Sequence, residues 1–313
     1  MPQPASQPPS PSTYPKSLCK CTLIPAMVTP FNANNDVDQH ALQKLATYLI
    51  QSQGCDALLV NGTTGESPTT TFEEKRQILR WVKDVTPNNP VISGSGGNNT
   101  LTSIQQATTL VNDGADGLLC VVPYYNKPSQ RGMIAHFSAI ANAVPNTPIM
   151  LYNIPGRTGV LMSPETMLTL HQQHPNIMGV KQSHDDMEAV TTIRQLLPDT
   201  FCIWSGDDPL TLPMMSCGAQ GVVSVLAHLL GKPIQQMITA YQQGDIQTAQ
   251  TLHQKLMPLG QALFTLPNPT IVKSVLAKQG HLNANFRLPM LAVNEDEAHL
   301  VTHVQQAIDE FSK

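Results

Sequence analysis

Eight short apolar runs, spaced by stretches of helical periodicity, leave this chain few folds to choose from. The runs are Leu23–Thr29, Ala57–Val60, Pro90–Gly94, Gly117–Val122, Pro148–Tyr152, Ile177–Lys181, Phe201–Ser205 and Gly221–Val225. Between them, Gln39–Gln53, Phe72–Val85, Leu101–Asp113, Gln130–Val144, Pro164–His171 and Asp186–Leu197 repeat apolar residues at helical spacing. Continuous apolar strands joined by helices build parallel sheets covered on both faces, and eight of them close most simply into a (β/α)8 TIM barrel. After Val225 the pattern is helical only, over Pro233–Gln243, Ile246–Leu266, Pro269–Gln279 and Glu295–Phe311. The expected organisation is a disordered Pro/Ser/Gln-rich tail over 1–20, a catalytic barrel over 21–230 and a C-terminal helical region over 231–313.

Composition narrows the partners. A net charge of −4 offers no basic field for nucleic acid and no polybasic patch for a membrane surface. No run of about 18 apolar residues exists to span a bilayer, and the N-terminus lacks the charged start and apolar centre of a secretory signal. The six cysteines, Cys19, Cys21, Cys55, Cys120, Cys202 and Cys217, show no metal-ligand spacing. Free thiols in a reducing cytoplasm, and no metal, are expected.

In a parallel barrel the chemistry sits where the strands finish. Lys181 ends the sixth run, where burial would draw its ammonium toward the neutral amine that forms Schiff bases with ketones; taken alone, such a residue is more often an ion-paired strand-end lysine. The second run leads into Asn61-Gly62-Thr63-Thr64-Gly65-Glu66-Ser67, whose glycines and hydroxyls suit a small carboxylate or, equally, a helix cap. Pro123-Tyr124-Tyr125-Asn126-Lys127-Pro128 follows the fourth run. Tyr152-Asn153-Ile154-Pro155-Gly156-Arg157-Thr158-Gly159 follows the fifth. Tyr125 and Tyr152 can relay protons or simply pack, and Arg157 can clamp a carboxylate or stand at the surface. Asp207 and Asp208, in Ser205-Gly206-Asp207-Asp208, read as helix caps rather than catalytic acids.

These motifs, with Gly179-Val180-Lys181, Gly221-Val222-Val223-Ser224-Val225 and Asn268-Pro269-Thr270-Ile271-Val272-Lys273, resemble those of the dihydrodipicolinate synthase family. The resemblance runs from about Leu23 to the C-terminus. It implies a class I aldolase-type lyase of lysine and diaminopimelate biosynthesis, in which Lys181 forms an imine with pyruvate and the derived enamine attacks L-aspartate 4-semialdehyde. By the same resemblance Thr63, Tyr152 and Tyr125 form the proton relay, Thr64 binds the pyruvate carboxylate, Arg157 binds the aldehyde's carboxylate, and Gly206 and Val223 line the pocket. It further implies no cofactor, a Tyr125 that reaches across a subunit interface, and a homotetramer built as a dimer of dimers.

Two departures stand out. Positions matching the histidines and glutamate of lysine-sensitive relatives hold Phe72, Lys75 and Thr102, so weak or absent feedback inhibition is expected, although Ser67, Asn98 and Tyr124 remain available. Gln182-Ser183-His184 replaces the usual acidic and Gly-Asp residues after the lysine, and His184 reads as a loop residue. The nearest rival is a sibling pyruvate-dependent enzyme, such as N-acetylneuraminate lyase or a 2-keto-3-deoxy sugar acid aldolase, which has no use for Arg157 on a short carboxylated aldehyde. A barrel that has lost catalysis and serves as a binding protein is the reading from another class.

Overall fold

The computed structural model of the protein describes residues 18–311. Every apolar run becomes a parallel strand: β1 (Leu23–Pro25), β2 (Leu58–Val60), β3 (Val91–Ser95), β4 (Gly117–Val121), β5 (Ile149–Asn153), β6 (Ile177–Gln182), β7 (Cys202–Ser205) and β8 (Gly221–Ser224). Chain neighbours are spatial neighbours throughout, in the order β1-β8-β7-β6-β5-β4-β3-β2. The ring closes where Ala26 pairs with Leu59 and the Met27 amide donates to the Leu59 carbonyl at 2.8 Å. β1 is shorter than its apolar run because the Val28 amide leaves the ladder and donates to His228 Nε2 at 3.2 Å. Burial holds that imidazole neutral, at about 4.

Helices follow where the periodicity places them, over Gln39–Gln51, Phe72–Val85, Thr100–Asn112, Gln130–Ala143, Pro164–Gln173 and Met187–Leu196. Each opens on a side-chain cap, namely Asp38, Thr71, Asn99, Ser129, Ser163 and Asp186, which satisfies an amide the first turn leaves free. Two short helices, Pro155–Thr158 and Thr211–Ser216, lie outside the expected set. C-terminal helices span Ala227–Gln242, Ile246–Ala262, Thr270–Lys278 and Ala298–Phe311. The first of these crosses the expected boundary at 230 and bends at Leu230, just before Pro233. No helix among the described residues is long and apolar enough to cross a membrane. Of the tail, 1–17 lie outside the described residues; Leu18–Lys20 form one helical turn, and Leu18 is buried beneath the barrel against Gly117.

Alternation along the strands divides the apolar side chains into two cores. Leu23, Leu58, Leu118, Leu151, Val180 and Ile203 face the helices, whereas Ile24, Leu59, Leu119, Met150, Trp204 and Val223 fill the barrel. β6 breaks the alternation once. Ile149 pairs with Ile177 but Met150 pairs with Gly179, so Met178 is an extra residue, a β-bulge. Ile177 faces the helices while Met178 joins the inner core, and after the bulge Val180 faces outward again. Lys181 therefore points inward, level with Tyr152 on one side and Trp204 on the other.

Glycine is required at the bulge. A Cβ at Gly179 would lie 2.3 Å from the Cys202 carbonyl oxygen and 2.8 Å from the Trp204 ring. Gly179→Ala should cost about 1–3 kcal/mol of stability by overpacking, read as a lowered thermal midpoint. An unchanged midpoint would show that the bulge accommodates a methyl group.

Candidate active site

Lys181 is 6% exposed, and its Nζ lies 4.5 Å from the centre of the Tyr152 ring, itself a member of the inner core. Gly206 packs against the stem of the lysine: a Cβ there would lie 3.0 Å from Lys181 Cε and would overlap Ser183 Oγ. Val223, buried in β8, belongs to the same inner layer.

A cavity of about 420 Å³ opens over the C-terminal ends of β2 to β5. Thr63, Tyr152 and Arg157 share its wall with Ser67, Lys75, Asn98, Thr102 and Tyr124. Lys181 is not part of that wall; the cavity meets it through Tyr152. The wall carries two cations, Lys75 and Arg157, and no carboxylate. Arg157 is exposed on the Pro155–Thr158 turn and, among the described residues, makes no ion pair. Half-buried Lys75 has its ammonium lowered by desolvation, with Glu74 pulling the other way.

Hydrogen bonds fix the loops that carry these groups. Asn153, at the end of β5, donates to Gln182 Oε1 at 3.0 Å and exchanges bonds with the Met162 backbone, which braces the turn bearing Arg157. Gln182, a departure in the sequence, is thus a neutral acceptor linking β5 to β6. Thr64 is buried, and its hydroxyl accepts from Asn268 Nδ2 at 2.9 Å. Tyr125 stands apart from the other expected site residues. It is 89% exposed with a left-handed φ of 68°, while its neighbour Tyr124 takes the place on the cavity wall. His184 lies in the loop after β6, 3.9 Å from the Asp185 carboxylate.

The two aspartates after β7 differ in role. Asp208 is a cap: its carboxylate accepts from the Val225 and Leu226 amides at 2.9 Å and from the Ser224 hydroxyl, tying the end of β7 to the helix that follows β8. The Asp207 side chain caps no amide. Burial, reinforced by Asp208 and Asp185 and opposed by Lys181, raises its carboxyl to about 6. The Thr63–Thr64 loop is held from the far end of the chain by Asn268 and Lys273, which the sequence shows within a motif but without a role, and by Arg287, which it does not single out. The signal was a lysine in the middle of the largely apolar Ile271–Leu276 segment.

A carboxyl raised in the folded state keeps its proton to higher pH than in the unfolded chain, so Asp207 lowers stability as pH rises from about 4 toward 6. Asp207→Asn should therefore raise the thermal midpoint at neutral pH, and the gain should fade as pH falls through that window. A gain independent of pH would refute this assignment.

The chain matches the dihydrodipicolinate synthetase family over residues 20–308. It is 47% identical over 275 residues to the 4-hydroxy-tetrahydrodipicolinate synthase of Synechococcus elongatus, covering 88% of this chain and 91% of that protein. The Bacillus subtilis protein of the same name is 46% identical, with 87% and 93% coverage. Among solved structures, dihydrodipicolinate synthase from Cyanidioschyzon merolae with lysine bound superposes with a TM-score of 0.90 at 40% identity, covering 93% of this chain and 99% of that one. The Bacillus anthracis enzyme superposes with a TM-score of 0.88 at 44% identity, covering 92% and 98%.

Proposed function

This chain belongs to the dihydrodipicolinate synthetase family, and on that basis we propose that it acts as a 4-hydroxy-tetrahydrodipicolinate synthase, condensing pyruvate with L-aspartate 4-semialdehyde. One observation supports this reading above the others. A buried lysine amine faces into the barrel beside a tyrosine, next to a cavity whose wall holds cations and no carboxylate.

The Lys181 amine attacks the keto carbon of pyruvate, and loss of water gives the protonated imine, which serves as the electron sink in place of a cofactor. Thr64 and its backbone hold the pyruvate carboxylate. Loss of a methyl proton gives the enamine, which attacks the aldehyde carbon, and the substrate's own amine then displaces Lys181 as the ring closes. Thr63, Tyr152 and Tyr125 pass the protons. Gly206 leaves room beside Lys181 Cε, and Val223 supplies an apolar wall. Arg157, free of any ion pair among the described residues, binds the aldehyde's carboxylate. Such a group favours a short carboxylated aldehyde over the sugar acids of sibling enzymes.

Tyr125 enters the relay of a neighbouring subunit, which suits its exposure and its strained backbone. The active unit is then a homotetramer built as a dimer of dimers, working in the cytoplasm. L-Lysine inhibits weakly or not at all. Lys75 would meet its side-chain ammonium as a like charge, and neither Phe72 nor Thr102 supplies a compensating anion.

Borohydride reduction in the presence of pyruvate should trap a pyruvyl adduct on Lys181, visible by mass spectrometry and absent from Lys181→Ala. An unmodified Lys181 would overturn the proposed function. Arg157→Ala should lower kcat/KM for the aldehyde by roughly 10- to 100-fold, the worth of a lost charged hydrogen-bonding partner, with imine formation retained. Unchanged aldehyde kinetics would remove Arg157 from its role. Titration with L-lysine should leave the rate nearly constant into the millimolar range; strong inhibition below it would reverse the reading of Lys75 and Thr102.

A further inference from the structure

The loop that carries Thr63 and Thr64 is held from a distance. Asn61 and Glu66 bracket it, and both adopt left-handed backbone, with φ of 59° and 54°. Side chains other than glycine are uncommon there, and such conformations persist only where the surroundings enforce them. Asn61 is pinned by hydrogen bonds to the Lys75 carbonyl at 3.0 Å and Ser93 Oγ at 2.9 Å. Glu66 is pinned by Lys273, whose Nζ lies 2.6 Å from Oε1, while the Arg287 amide donates to Oε2 at 3.2 Å.

The Glu66–Lys273 pair is fully buried, with side chains 1% and 0% exposed. Two rings flank the ammonium, Phe31 at 4.3 Å and Phe286 at 4.6 Å. A buried ion pair is a poor device for stability, since desolvation offsets most of the Coulomb gain and apolar replacements are often neutral or better. What it offers here is a fixed, directional contact between loop and C-terminal helix. The same stretch of chain also sends Asn268 to the Thr64 hydroxyl at 2.9 Å. Two contacts, five residues apart, thus converge on the two ends of Thr64-Gly65-Glu66.

We propose that Glu66 and Lys273 are positioning residues for pyruvate: their buried ion pair sets the backbone that presents Thr63 and Thr64 to the keto acid bound at Lys181. The inference rests on the proposed function and assigns to the C-terminal helices a part in substrate binding. Loss of the pair should let the loop relax, so pyruvate is held poorly while the Arg157 side of the cavity keeps its shape.

The test compares the parent enzyme with Glu66→Gln, Lys273→Met and the double variant Glu66→Gln/Lys273→Met. Each single change strands a buried polar or charged partner and can fail to fold; the double change leaves no charge behind. Fold is checked by circular dichroism and thermal midpoint, and kinetics are measured for each substrate with borohydride trapping alongside. The expected result is a folded double variant whose pyruvate KM rises roughly tenfold or more while the aldehyde KM stays within about twofold. A folded double variant with pyruvate KM within about twofold of the parent would overturn the proposal, because the pair would then be merely structural. A double variant that does not fold overturns it as well, since the pair would belong to stability. Failure of the parent to form the pyruvate adduct is a separate outcome and counts against the proposed function itself.

Discussion

Side chains on a regular strand alternate between faces, so the direction of an amine at the end of β6 is settled by parity. The extra residue Met178 shifts that parity, and the amine at Lys181 turns from the helix layer to the barrel interior. Much of the site's geometry depends on this shift. It places Nζ over the Tyr152 ring, stacks Gly179 beneath Trp204 and brings Gly206 against the lysine stem. Glycine at the bulge and glycine after β7 are therefore two parts of one arrangement, each omitting a methyl group where the chain passes close to a neighbour.

Around that centre the barrel acts as a frame whose strand ends are tied to each other rather than left as free loops. Asn153 and Gln182 link β5 to β6, Asp208 links β7 to the helix after β8, and His228 captures the Val28 amide beyond β1. Each tie buries polar atoms that would be costly without a partner. The site is consequently built from short, braced segments, from which Tyr125 and Arg157 reach into the open.

Much of this was legible in the sequence. The eight strands were visible because parallel strands buried on both faces are continuous apolar runs, and Phe72–Val85 was visible from its helical periodicity; in the structure its start is held by a capping box of Thr71 and Glu74. Pro155–Thr158 and Thr211–Ser216 were not, since four or six residues are too few to show a helical period. Nor was the bulge, because Asn176–Lys181 reads as a plain apolar run whether or not one residue is unpaired. The Glu66–Lys273 pair joins residues 207 apart, and two charged residues give no hint of each other when the expectation for both is the surface. Asp208 was read as a cap, and is one, but for a helix that begins beyond the next strand.

The charge lining the cavity has a bearing on how fast molecules arrive. Lys75 and Arg157 stand on a concave wall that itself carries no carboxylate, so field lines from the two gather in the opening. A small acid drifting past in dilute buffer is drawn in before it touches any specific group, whereas added salt weakens that pull over about 10 Å. Electrostatics at such a mouth bears on the rate of arrival, a quantity separate from the chemistry beneath it.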